Sequence, residues 1–227
     1  MTRSTRQVYQ SHHKNLFNIL KRNCVSFEVF LHTWKTEHTW CWANELSIPN
    51  DYKEHKYLNP NYYQIDNQDE FLSTINLSDY YYPNEYEWVP ELIRNHLCSL
   101  QSLKRCFNMC KSTNKKYDYV IVMRPDVNIL SPLPFLDMFI LNNSINTNNI
   151  YIPSIDWNEG YNDRAAIIPF HCANWYCNRI DEIIEFRRNN GRIVSEKYLK
   201  YIVDKYYKIV PIKFNFIITR PTVPPEE

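Results

Sequence analysis

The chain has 227 residues, a formal net charge of +1, and Lys and Arg scattered along its length, so it lacks the basic face of a nucleic-acid binder. Its two glycines, Gly160 and Gly191, cannot supply a Walker loop or a dinucleotide fingerprint, and any phosphate bound here must be held by a metal, by side chains or by a helix terminus. Seven cysteines without a Cys-x-x-Cys spacing argue against a disulfide framework or zinc knuckle, and with no apolar run of membrane-spanning length and no visible signal peptide the expected setting is cytoplasmic.

Residues 7–22 carry apolar positions at Val8, Leu16, Phe17, Ile19 and Leu20, a helical pattern. Val25, Phe27, Val29 and Leu31 alternate with mostly polar neighbours, which predicts a strand. Residues 44–85, rich in Asn, Asp, Tyr and Pro, read as loops with short elements. A long helix is expected from about Glu91 to Lys111, where Leu92, Leu97, Leu100, Leu103, Phe107 and Cys110 recur at helical spacing behind Pro90. Tyr119–Met123 is a continuous apolar run, as in a strand covered on both faces. Asn149–Ile152 and Ala165–Ile168 are two further short strands.

Helices are predicted over Cys172–Arg188 and Ser195–Tyr206, the second opening with Ser195 as cap and Glu196 in an acidic first turn. Ile209–Ile218 reads as a last, broken strand. Strands alternating with helices predict an α/β fold: one domain over residues 1–220, with a mainly parallel, Rossmann-like sheet and helices on both faces. The Pro-rich tail 221–227 reads as a disordered end or the start of a linker, which would make the chain part of a longer multidomain protein.

In open α/β sheets ligands bind beyond the carboxyl ends of strands. The strand Tyr119–Met123 delivers Arg124, Pro125, Asp126, Val127 and Asn128 to such an edge, and a two-residue period points Arg124, Asp126 and Asn128 to one side. A departing nucleoside diphosphate builds negative charge, and Mn²⁺ or Mg²⁺ neutralises it through one or two carboxylates and the phosphates themselves. Asp126 is the candidate ligand, Asn128 a weaker second, and Arg124 a partner for Asp126 or for phosphate. Arg124 and Asp126 could equally close the strand as an ordinary ion pair.

A second constellation is Gly160, Tyr161, Asn162, Asp163 and Arg164, directly before the strand Ala165–Ile168. Asp163 could act as general base toward an acceptor hydroxyl, could hydrogen-bond a donor sugar, or could belong to an Asx-type turn. His32, Thr33 and Trp34 follow the first strand, where the Trp could stack on a base or a sugar or be buried at the rim. His171, just after the Asp163 strand, is a further candidate metal ligand.

These residues resemble small GT-A-type glycosyltransferases of large DNA viruses and bacteria, and among them the glycosyltransferase domain of algal-virus proteins that build capsid glycans. The matching pieces stand in the family's order: Phe27–Trp34, Gln101, Ser102 and Lys104 on a helix, Tyr117–Asp126, Gly160–Arg164 and Ser195–Leu199. The resemblance implies a GT-A fold, a UDP- or GDP-linked sugar as donor, a glycan or protein-linked acceptor, and Mn²⁺ or Mg²⁺. It implies donor contacts from Arg124, Asp126, His32, Thr33, Trp34, Gln101, Lys104, Asn162 and Arg164. Asp126 would occupy the family's metal-binding Asp-x-Asp position, with Asn128 replacing the second Asp. Relatives open with an apolar strand followed by Gly and Arg, which this chain lacks, implying a truncated start or a differently built nucleotide pocket. Two other expectations stay open: a nucleotide-sugar- or carbohydrate-binding module without catalysis, and a nucleotidyltransferase.

Overall fold

The computed structural model describes residues 4–36, 38–41, 46–49, 51, 53–81, 90–134 and 149–220; the Pro-rich tail lies outside them. The amino-terminal rod begins as α1 (Thr5–His12), passes through a π-helical turn at His13–Phe17 and ends as α2 (Asn18–Arg22). The wide turn brings Val8, His12, Asn15, Leu16, Phe17 and Leu20 to the buried side, so the stripe departs from a plain 3.6-residue repeat. Its two polar members are tied down. His12 Nε2 donates to the Val127 carbonyl at 2.9 Å and Asn15 Nδ2 to that of Ile129 at 2.6 Å.

Strand β1 covers Phe30–Lys35, later than the Val25–Leu31 expected. The alternation there is still a core pattern, since Val25, Phe27 and Val29 pack against the buried cluster that holds Leu31. Ladder pairing begins only at Phe30 because the partner begins at Tyr62, after Pro60. Between them lie β2 (His38–Cys41) and β3 (Leu46–Pro49), an antiparallel pair. Strand β4 (Tyr62–Asn67) runs parallel to β1 and leads into α3 (Gln68–Ser73). Helix α4 (Pro90–Ser112) matches its expected span and buries Ile93, His96, Leu97, Leu100 and Phe107.

The central sheet has the order β5 (Tyr119–Met123), β8 (Ala165–Pro169), β7 (Asn149–Pro153), β9 (Lys208–Ile212). It is mixed rather than mainly parallel: β5–β8 and β8–β7 are antiparallel and only β7–β9 is parallel. The cause is local. No helix separates β7 from β8, so the chain returns directly and reverses direction. Strand β6 (Val127–Ile129) leaves the sheet and pairs antiparallel with β10 (Phe216–Ile218).

Helices cover both faces. Ala165, Ile167 and Tyr151 face a core shared with the α1–α2 rod. The alternate residues Ala166, Ile168, Ile150 and Ile152 face α4, α5 (Ala173–Cys177) and α7 (Ser195–Tyr206). The helix expected over Cys172–Arg188 is broken at Asn178: α5 gives way to a 3₁₀ turn over Arg179–Glu182 and then to α6 (Ile183–Asn190). Helix α7 starts where expected, but its N-cap is Val194 without a side-chain cap, and Ser195 Oγ instead donates to Glu196 at 2.7 Å. The six cysteines at positions 24, 98, 106, 110, 172 and 177 are free. Among the described residues no helix is long and apolar enough to cross a membrane.

Candidate functional site

Antiparallel pairing sets the end of β5 against the start of β8, with Met123 opposite Ala165. One step further the Arg124 N–H donates to the Arg164 carbonyl at 2.9 Å. The Arg-Pro-Asp and Asn-Asp-Arg segments, separate in sequence, therefore stand side by side at one sheet edge.

Arg124 grips Asp126 through both oxygens, Nε to Oδ1 at 2.9 Å and Nη2 to Oδ2 at 2.6 Å. The Asp126 side chain is 10% exposed and that of Arg124 33%. Burial pushes the Arg124 pKa down, but Asp126, with Asp163 and Glu196 beyond it, outweighs burial and raises it. The backbone is held as well, since Thr219 N–H donates to the Asp126 carbonyl at 2.8 Å. Asn128 lies on β6 opposite the exposed Ile217.

The loop before β8 is anchored by Asn162, which is 1% exposed. Its Nδ2 donates to the Ile155 carbonyl and its Oδ1 accepts from Arg164 N–H, both at 2.9 Å. This is the Asx-type turn, formed by Asn162 rather than Asp163, and it uses the amide structurally. Arg164 pairs with Asp156. Gly160 is required by a close approach: a Cβ there would stand 2.0 Å from the Glu196 carbonyl oxygen in the first turn of α7. Asp163 is left. It is partly exposed, and among the described residues its carboxylate has no hydrogen-bond or ion-pair partner, although Arg124 feels its charge.

Three buried groups that the sequence did not single out lie within electrostatic reach of one another and of this edge. His96 on α4 is driven down to about 3 by burial, with Arg179 and Arg124 adding to the effect, and is neutral at pH 7. Tyr176 on α5 is pushed up to about 12 by burial and keeps its proton. Arg179 is 5% exposed, turned inward by the helix break at Asn178. The signal available in sequence was weak: each sits on an otherwise apolar stripe, where a polar residue reads as a helix's solvent edge.

The remaining candidates lie elsewhere. His32 is buried against α4, its Nδ1 2.7 Å from Ser102 Oγ and its Nε2 2.9 Å from Asp66. Trp34 donates to the Cys98 carbonyl at 3.0 Å, stacks on Phe71 and carries the Arg105 guanidinium 4.8 Å from its ring. His32 and Trp34 thus pack between β1 and α4, and Thr33 between them in sequence is buried too. Lys104 pairs with Asp181 at 2.6 Å, and Gln101 is partly buried on the same helix. His171 is not brought to Asp126: it follows the far end of β8, where Phe170 N–H meets the Asp118 carbonyl at the start of β5. On the outer flank of α7 a hollow of about 580 Å³ is lined by Glu159, Phe186, Arg192, Lys197, Tyr201 and Asp204, with Lys200 at its wall.

Both oxygens of Asp126 accept from Arg124, so a Mn²⁺ or Mg²⁺ bound through this one carboxylate and a ligand's phosphates would share it with the guanidinium. Among the described residues no three His, Cys, Asp or Glu side chains stand close enough to share a metal. Comparison with protein-family models, with curated proteins and with solved structures finds no match to this chain.

Proposed function

We propose that the chain is a glycosyltransferase that moves a sugar from a nucleotide-diphosphate donor to a glycan or protein-linked hydroxyl. The observation that carries this reading is the Asp163 carboxylate, which has no hydrogen-bond or ion-pair partner among the described residues and is set by β5–β8 pairing beside the Arg124–Asp126 pair. The ordered motifs shared with GT-A-type transferases support it.

In this reading Asp163 accepts the acceptor's proton as its oxygen attacks the anomeric carbon, which is general-base work. A carboxylate already bound to an arginine would be a poorer base, because the ion pair lowers its proton affinity. Arg124 holds its charge under all physiological conditions and, paired with Asp126, adds positive potential near the departing diphosphate. Pre-set cations in a partly dry site stabilise such charge without reorganising.

A thermal-shift screen of nucleoside diphosphates and their sugars tests it, because a ligand of the folded state alone raises the melting temperature. UDP or GDP, or a sugar of either, is expected to raise it by several degrees. No shift with any of them would count against donor binding altogether. A second reading, a nucleotide-sugar-binding module without catalysis, is favoured by one observation: Asp126 is closed by Arg124 and its Asp-x-Asp partner is Asn128. It predicts the same shift with no release of nucleoside diphosphate.

A further inference from the structure

Arg179 is 5% exposed, and among the described residues no carboxylate is within ion-pair distance of it. Its Nη1 donates to the Tyr176 carbonyl at 2.8 Å, its Cζ lies 4.6 Å from the centre of the Tyr176 ring, and its Nε has no hydrogen-bond partner. The carboxylates of its own turn are engaged elsewhere: Asp181 by Lys104 at 2.6 Å and Glu182 by Lys205 at 2.9 Å. The Tyr176 hydroxyl, on the ring that the guanidinium overlies, is also buried and has no hydrogen-bond partner among the described residues. A buried guanidinium left unpaired is costly, and two unsatisfied donors together mark a place where something with acceptor oxygens belongs.

We propose that Arg179 and the Tyr176 hydroxyl form an anion site for a pyrophosphate group, that of the donor. The site flanks the candidate transfer edge: Tyr176 packs in the buried cluster that includes Ala166 of β8, with Tyr161 of the preceding loop against it. Arg124 is committed to Asp126, whereas Arg179 has a donor to offer, and its planar fork matches phosphate oxygens. The inference rests on the transferase reading for the identity of the anion. It would account for diphosphate binding while Asp126 stays paired with Arg124.

Calorimetric titration of inorganic pyrophosphate, UDP and GDP into the full chain, in EDTA, tests the site. Wild type is expected to bind pyrophosphate and at least one nucleotide. Arg179→Met is expected to weaken both by about 10- to 100-fold, the range for a hydrogen bond to a charged group, yet to melt no lower than wild type without ligand, because an unpaired buried charge has been replaced by an apolar chain. Arg179→Lys should fall between, and Tyr176→Phe should weaken pyrophosphate several-fold. Pyrophosphate affinity unchanged in Arg179→Met, or in both Arg179→Lys and Tyr176→Phe should the Met variant not fold, overturns the proposal, as does absence of pyrophosphate binding by wild type. Nucleotide binding that survives Arg179→Met removes this site and leaves the transferase reading standing. Arg179-dependent binding without sugar transfer does the reverse.

Discussion

The Arg124 N–H and the Arg164 carbonyl, 2.9 Å apart, extend the β5–β8 ladder by one bond beyond Met123 and Ala165. Asp126 and Asp163, each two residues or fewer from this bond, therefore cannot drift apart without breaking sheet pairing. They differ in what they are free to do. One carboxylate is locked in a bidentate pair and the other has no partner among the described residues.

Asp163→Asn should abolish sugar transfer while leaving the fold intact. Losing a general base costs roughly 10²- to 10⁴-fold in rate, whereas a change at a partly exposed, unpartnered side chain stays within about 0.5 kcal/mol of wild-type stability. Nucleoside diphosphate release measured beside urea unfolding checks both halves.

Asp126→Ala should act the other way, chiefly on stability. Removing one partner of a buried pair strands the other charge, at about 3–5 kcal/mol when both are fully buried. With Arg124 a third exposed, solvent reduces this to about 2–3 kcal/mol. The double change Arg124→Met with Asp126→Leu should recover most of the loss in a urea melt. If Mn²⁺ raises the melting temperature of wild type but not of Asp126→Ala, the carboxylate serves a metal and the pair is not its main role.

Gly160→Ala should damage the fold and the site together. The added methyl would meet the Glu196 backbone at 2.0 Å, and neither α7 nor the Asn162 turn can yield cheaply, so a loss of about 1–3 kcal/mol is expected. At Gly191 the space is open but φ is +79°, and alanine there should cost about 1 kcal/mol through backbone strain alone. Thermal melts of the two variants would separate these causes, and only the Gly160 change should lower donor turnover per folded molecule.

Stability should fall steeply in mild acid. His12 and His32 are pushed down to about 4 and His96 to about 3, in each case first by burial. Unfolded histidines take up protons near pH 6.5 that the folded ones refuse, so the contribution is complete above that pH and is lost as pH falls towards 4. Each such proton is worth about 1.4 kcal/mol per pH unit within the window. His12→Gln should flatten the slope of unfolding free energy between pH 6 and 4.5 by about one proton's share. An unchanged slope would show that His12 titrates normally.

Helix α4, helix α7 and strands β5, β7 and β8 were legible because their apolar residues keep an unbroken period. Strand direction has no such signature. The mixed sheet follows from the helix-free return between Pro153 and Ala165, and periodicity does not show which way a chain returns. The break at Asn178 was hidden because Ala173, Tyr176, Cys177, Ile183 and Phe186 remain buried across it. At the site, chemistry-bearing residue types could be named but not their partners. The exception is the Arg124–Asp126 ion pair, which two-residue spacing at a strand end did suggest; His32 and Trp34 meet α4 through contacts that only the folded chain defines. Arg179 and Tyr176 went unnoticed because inward-facing polar residues on a helix look like its outer edge until the helix is seen to bend.

The most direct test is nucleoside diphosphate release from a panel of UDP- and GDP-sugars, with and without oligosaccharide acceptors, by wild type and Asp163→Asn. Wild type should release UDP or GDP from at least one donor, faster with an acceptor present, and the variant should bind that donor with little or no turnover. Turnover by the variant at the wild-type rate, or none by wild type with any donor, would contradict the account.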